Sequence, residues 1–142
     1  YLTCVMDLFS RKIIGWNVSD SLSTEHVIIA IERAKANRKH SQPVIIHSDR
    51  GCQFVSKSYI EATPAGQYIH SYSNKANPWD NACIESFHAL IKREWLNRFV
   101  IQNLKHAHEL IFEYIEAFYN TVRIHEHCGM KSPFDYENTF AS

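Results

Sequence analysis

Val44-Ile45-Ile46-His47-Ser48-Asp49-Arg50-Gly51 runs from a short apolar strand, opened by Pro43, straight into an acid and a turn. Asp49 therefore stands at the carboxyl end of a strand, where open α/β sheets present the residues that meet ligands. Glu85 lies well downstream, inside a strongly helical stretch. A strand-end carboxylate facing another on a neighbouring helix can hold a hard divalent cation, magnesium or manganese, over a cleft. The pair thus points to metal-assisted phosphate chemistry, provided that the two acids meet.

Upstream, Leu2 to Met6 and Ile13 to Val18 flank Asp7-Leu8-Phe9-Ser10-Arg11 and carry β-branched residues and Trp16, which predicts an antiparallel hairpin. Gly15 marks a bulge or a close approach of backbone. Asp7 has the short carboxylate that accepts backbone hydrogen bonds in a turn. Ser23 is placed to cap a helix reaching about Asn37, with Val27, Ile28, Ile31 and Ala34 as its apolar stripe and Glu25 in its first turn.

Downstream of Asp49, a brief helix is predicted over Lys57 to Ala62 before Pro64 and Gly66 break it, and Gln67 to Tyr72 alternates as a further strand. Ser73 to Asn77 reads as a polar loop. Asn77-Pro78 resembles a cap followed by proline at the first helical position, with Asp80 adding negative charge there, and the helix runs to about Arg98. A last helix, Leu104 to Val122, places Leu104, Ala107, His108, Ile111, Tyr114, Ile115, Phe118 and Val122 on one stripe for the core. Strands alternating with helices after an opening hairpin indicate an α/β domain with a mixed sheet flanked by helices.

The 142 residues, 45% apolar and 13% aromatic, suffice for one buried core and leave little room for a second domain. Formal charge is zero, which excludes the overall basic excess of many nucleic-acid binders, so any DNA contact must be local. Arg33, Lys35, Arg38, Lys39 and His40 cluster, as do Lys92 and Arg93, although such runs also read as solvated helix faces. Cys4, Cys52, Cys83 and Cys128 lie far apart without a C-x-x-C pair, as free thiols of a reducing cytosol do. No apolar run approaches the roughly 18 residues of a membrane span, and no secretion signal is recognised. Tyr1-Leu2-Thr3-Cys4-Val5 already reads as strand, so the chain is read as cut from something longer.

At 100° per residue, Glu85, His88 and Lys92 fall along one side of their helix, with Lys92 about 10 Å beyond Glu85 along the axis. An acid that holds metal, with a cation further along the same face, suits a phosphate backbone. An exposed helix face is the plain alternative. His47, read as turned to the face opposite Asp49, is taken as core or support. His125, His127 and Cys128 form one H-x-H-C cluster without the paired spacing of a structural zinc site.

His47-Ser48-Asp49-Arg50-Gly51-Cys52-Gln53-Phe54 and Asn77-Pro78-Trp79-Asp80-Asn81-Ala82-Cys83-Ile84-Glu85-Ser86-Phe87 together resemble the retroviral-integrase-type catalytic core of bacterial insertion-sequence transposases. Val5 to Trp16, Lys92, and a tail with Tyr119-Asn120, Arg123, His125, Pro133 and Tyr136 extend the resemblance over nearly the whole chain, 1–142, with the last helix and tail 104–142 included. The resemblance implies a ribonuclease-H-like fold and a DDE-type polynucleotidyl transferase whose two aspartates and one glutamate bind two divalent ions, Mg2+ or Mn2+. Asp49 is then the second acid, Glu85 the third, and Lys92 the basic residue seven positions on. The first acid belongs to a strand about a dozen residues before Tyr1, the central one of the sheet, and Asp7 matches the hairpin turn instead. Asn74, Lys75 and Trp79 fall where similar integrases have a mobile loop touching DNA; an ordinary polar connector is the alternative.

The implied reaction is cleavage of element ends and their transfer into target DNA by in-line displacement at phosphorus. Implied partners are DNA and further copies of the chain, including a dimer formed by strand exchange, in the bacterial cytoplasm. With only two of three acids present, the chain alone is expected to be inactive. A non-catalytic DNA-binding or assembly module, and a ribonuclease-H-like nuclease that only hydrolyses, stay open as alternatives.

Overall fold

The structure, a computed structural model, describes residues 1–38, 42–74 and 77–141. Strands β1 (Leu2–Met6) and β2 (Ile13–Val18) form the expected antiparallel hairpin. Asp7 closes its turn, accepting the Phe9 N–H and the Ser10 hydroxyl. The register slips between Val5 and Met6, which pair with Gly15 and Ile13, so Ile14 is bulged out. One extra residue inverts the alternation of side chains. Ile13 and Trp16, an odd and an even position, consequently enter the same core.

Gly15 serves the close approach as well. Helix α1 (Thr24–Ala36) lies so near that a Cβ at Gly15 would come 2.2 Å from the Ala30 carbonyl oxygen. Arg33, part of the basic cluster, is spent here, donating to the Trp16 carbonyl at 2.6 Å.

Strand β3 (Val44–Ser48) pairs in parallel with β4 (Tyr68–Tyr72), and α2 (Lys57–Ala62) connects them. Val27 and Ile31 of α1 pack with Tyr59 and Tyr68, and both Val5 of β1 and Val44 and Ile46 of β3 join this cluster. Helix α1 thus holds the two strand pairs together. No ladder joins them: the described residues form two two-stranded sheets, β1 with β2 and β3 with β4. The second edges of β1 and β3 have no strand partner among the described residues. Nor is β3 fully buried, since Ile45 and its register partner Ile69 are more than half exposed.

The other face of the hairpin carries the larger core. Phe87 and Ile91 of α3 (Ala82–Glu94) pack with Ile13, Trp16, Ile111, Tyr114, Ile115 and Tyr119. The predicted helix over Asn77 to Arg98 is interrupted, with 3-10 turns at Pro78–Asn81 and Leu96–Arg98. The predicted helix Leu104 to Val122 is α-helical only in α4 (Leu104–Phe112); a π-helical stretch, Glu113–Tyr119, follows. Hydrogen bonds across five residues widen each turn. After Ile115 the next residues facing inward are therefore Tyr119 and Asn120, while Phe118 and Val122 turn outward. The chain ends on α5 (Pro133–Asn138), whose Glu137 accepts from Ser10 and pairs with Lys12 at 2.8 Å. No helix of the described residues is long and apolar enough to cross a membrane.

Candidate functional site

Asp49 leaves β3 directly and is exposed, its Oδ1 accepting the Gly51 N–H at 2.7 Å. Its Oδ2 has no hydrogen-bond partner among the described residues. Glu85 lies in the first turn of α3, exposed, and its carboxylate makes no hydrogen bond or ion pair with the described residues.

The strand pairing brings the two neighbourhoods to one edge. Because β3 and β4 run in parallel with Ser48 opposite Tyr72, Asp49 and Ser73 emerge from the sheet on the same side. The Ser73 N–H donates to the Ser48 carbonyl at 3.0 Å. Asn81, immediately before α3, donates its side-chain N–H to the Ser73 hydroxyl at 2.7 Å. Glu85 lies one helical turn further, about 6 Å along the axis. Three hydrogen-bonded groups, Ser48, Ser73 and Asn81, thereby join the residue before Asp49 to the turn that carries Glu85.

His47 bonds to residues at the end of β4. Side chains two apart on a strand share a face, so alternation does not separate His47 from Asp49. Its ring nitrogens lie 2.9 Å from the Ser71 hydroxyl and 3.2 Å from that of Ser73, and it is support for the loop rather than core.

The loop before α3 is closed by Asp80, which accepts the Asn74 N–H and the Asn77 side-chain N–H, both at 2.9 Å. Asn77 therefore does not cap the helix with its side chain, as its position had predicted, because that side chain is turned to Asp80. Asn74 is exposed at the rim of this loop, as is Trp79. Lys75 lies outside the described residues. Lys92 is exposed two turns beyond Glu85, with His88 between them; burial, reinforced by the Lys92 charge, holds the His88 pKa below its ordinary value. Asp80, Ser73 and Asn81 had no assigned role in the sequence beyond Asp80's charge and membership of a motif. Their close spacing around the proline was the only available signal.

Donor chemistry fits a hard divalent ion in kind: two exposed carboxylates, with one oxygen of Asp49 committed to a backbone N–H. In number it is a partial set, since no group of three or more His, Cys, Asp or Glu side chains is gathered to hold a metal among the described residues. The tail cluster is dispersed to other tasks. His127 faces the Phe9 carbonyl at 3.1 Å, Cys128 is buried against the Ser10 carbonyl, and the His125 ring stacks edge-on to Tyr119. Arg123 instead clasps Glu94 with two N–H groups at 2.8 and 2.9 Å, while the Tyr114 hydroxyl donates to the same carboxylate at 2.6 Å.

Comparison with known proteins identifies the family of the chain. One family model described as an integrase core domain matches residues 1–78, and a second of the same description matches residues 67–133. The chain is 39% identical over 138 residues to the transposase for insertion sequence element IS904 of Lactococcus lactis, covering 96% of the chain and 54% of that protein. It is 37% identical over 140 residues to transposase InsF for insertion sequence IS3A of Escherichia coli, covering 97% of the chain and 48% of that protein. The chain thus spans about half the length of these curated relatives. Among solved structures, a chain of the simian T-cell lymphotropic virus intasome in complex with PP2A regulatory subunit B56 gamma matches with a TM-score of 0.75 at 16% identity, over 95% of this chain and 47% of that one. That likeness is one of fold.

Proposed function

Because the chain belongs to the integrase core domain family, we propose that it is the catalytic core of an insertion-sequence transposase, cutting element ends and joining them to target DNA by in-line phosphoryl transfer. The observation that supports the reading is the hydrogen-bonded path Ser48, Ser73, Asn81, which links the residue before Asp49 to the residue before the helix that carries Glu85. Asp49 and Glu85 would hold magnesium or manganese, which supplies charge to polarise a phosphoryl oxygen. Lys92, exposed on the Glu85 helix, neutralises a neighbouring phosphate, and Asn74, with Lys75 beside it in sequence, contacts the backbone of the bound strand.

A strand that pairs with the free edges of β1 and β3 would bring the third acid and complete a two-ion site. Those edges, which have no strand partner among the described residues, favour such a strand, whether from the same polypeptide or from another copy in an oligomer on DNA.

The test is strand transfer with manganese on oligonucleotides carrying element ends. The 142-residue chain alone gives no transfer, the chain within its full-length transposase does, and Asp49→Asn or Glu85→Gln in that full-length protein abolishes it. Transfer that survives either substitution overturns the proposal. DNA binding without catalysis at any length assigns a non-catalytic module instead, and cleavage without joining assigns a nuclease.

A further inference from the structure

We propose that Ser73 is the positioning residue of this site, setting where helix α3, and so Glu85, stands relative to Asp49. The inference rests on the reading that the two acids share an ion.

Ser73 is 6% exposed and follows β4 directly, yet it is bonded to three other segments. Its N–H holds the Ser48 carbonyl at 3.0 Å, continuing the β3 ladder by one residue toward Asp49. Its carbonyl accepts the Arg50 Nε–H at 3.4 Å, drawing in the far side of the Asp49 turn. Its hydroxyl accepts from Asn81 at 2.7 Å, lies 3.2 Å from His47 Nε2 and donates to the Ser48 carbonyl at 3.4 Å, a bond that the Ser73 N–H to the same carbonyl outlasts.

Only the hydroxyl reaches α3. The backbone bonds to Ser48 and Arg50 persist whatever side chain stands at this position, and His47 keeps its contact with Ser71. Removing the hydroxyl therefore removes the Asn81 tie at the amino-terminal end of α3, which among the described residues keeps only the Asp80 bond to Asn74 on this side, while sparing the backbone ladder. Neither apolar core includes Ser73. The loss is thereby confined to the approach of one carboxylate to the other, since an ion bridging two ligands weakens when one is no longer oriented.

The test uses manganese ion alone, titrated against the 142-residue chain, and amide hydrogen exchange on the same samples. Ser73→Ala weakens manganese binding about tenfold, and Ser73→Thr, which keeps the hydroxyl, stays within about twofold of the parent. Exchange quickens across Asn77 to Ser86 in Ser73→Ala and is unchanged in Phe87 to Glu94 and in the hairpin. Unaltered exchange in Ser73→Ala, a rise spread evenly over the chain, or failure of Ser73→Thr to restore the parent pattern overturns the proposal. Asp49→Asn separates the two readings: manganese binding that is the same with and without this substitution refutes the shared ion, while the exchange result still decides the role of Ser73.

Discussion

Asn120 holds Ile13 by both of its backbone groups: its Oδ1 accepts the Ile13 N–H and its Nδ2 donates to the Ile13 carbonyl, each at 2.9 Å. A side-chain amide thus occupies the outer edge of β2 as a neighbouring strand would. Both residues are buried, so neither backbone group has water to fall back on. Asn120→Ala is expected to lower stability by about 2–4 kcal/mol, the cost of leaving two buried polar groups unpaired. Asn120→Asp keeps only the acceptor and loses the donor. Urea unfolding of the three proteins measures the series.

Gly15 admits no side chain. A Cβ there would lie 2.2 Å from the Ala30 carbonyl oxygen and 2.6 Å from the Ala34 nitrogen, both backbone atoms that α1 can move only as a whole. Gly15→Ala is expected to cost about 3 kcal/mol, at the upper end for overpacking. Because α1 ties the two strand pairs together, exchange protection should fall in both.

The clasp of Glu94 by Arg123 and Tyr114 makes stability depend on acid. Its Arg123 hydrogen bonds, opposed in part by desolvation, hold the Glu94 carboxyl below the ordinary carboxylate range. A depressed pKa in the folded state means that the contribution is complete above the unfolded value of about 4.3 and is lost as pH falls through the folded value beneath it. Glu94→Gln should remove that acid-dependent portion and cost about 1–2 kcal/mol at neutral pH. Denaturation midpoints recorded from neutral to strongly acidic pH decide it.

Two histidines work in a higher window. Burial lowers the pKa of His88 and of His125, whose Nε2 is buried without a partner among the described residues. Below the unfolded value of about 6.5 the unfolded chain takes up protons that the folded chain refuses, so stability falls with falling pH until the folded values are passed. His125→Phe should flatten this part of the profile. Equal slopes in parent and variant would contradict it.

The hairpin, α1, α2 and the neighbourhoods of both acids were legible in the sequence because each rests on local signals: apolar runs with β-branched residues in β1 and β2, a three-four stripe in α1, a turn after Asp49. Asp7 illustrates how far such signals reach, since a short carboxylate in a turn bonds groups only two and three residues away. The last helix escaped because apolar spacing assumes hydrogen bonds across four residues. Once five are spanned, Phe118 and Val122 leave the core, and Tyr119 and Asn120 take their places.

By itself the sequence determined which side chains carry charge at the edge of a strand and on a helix face, and which motifs relate the chain to integrase cores. Tertiary structure alone decided that Ser73 and Asn81 link the two acidic neighbourhoods. It also decided that Asn120 stands in for a strand beside β2. Hydrogen bonds between groups remote in the chain leave no periodic trace in composition, because what selects them is the packing that makes an unpaired buried polar group costly.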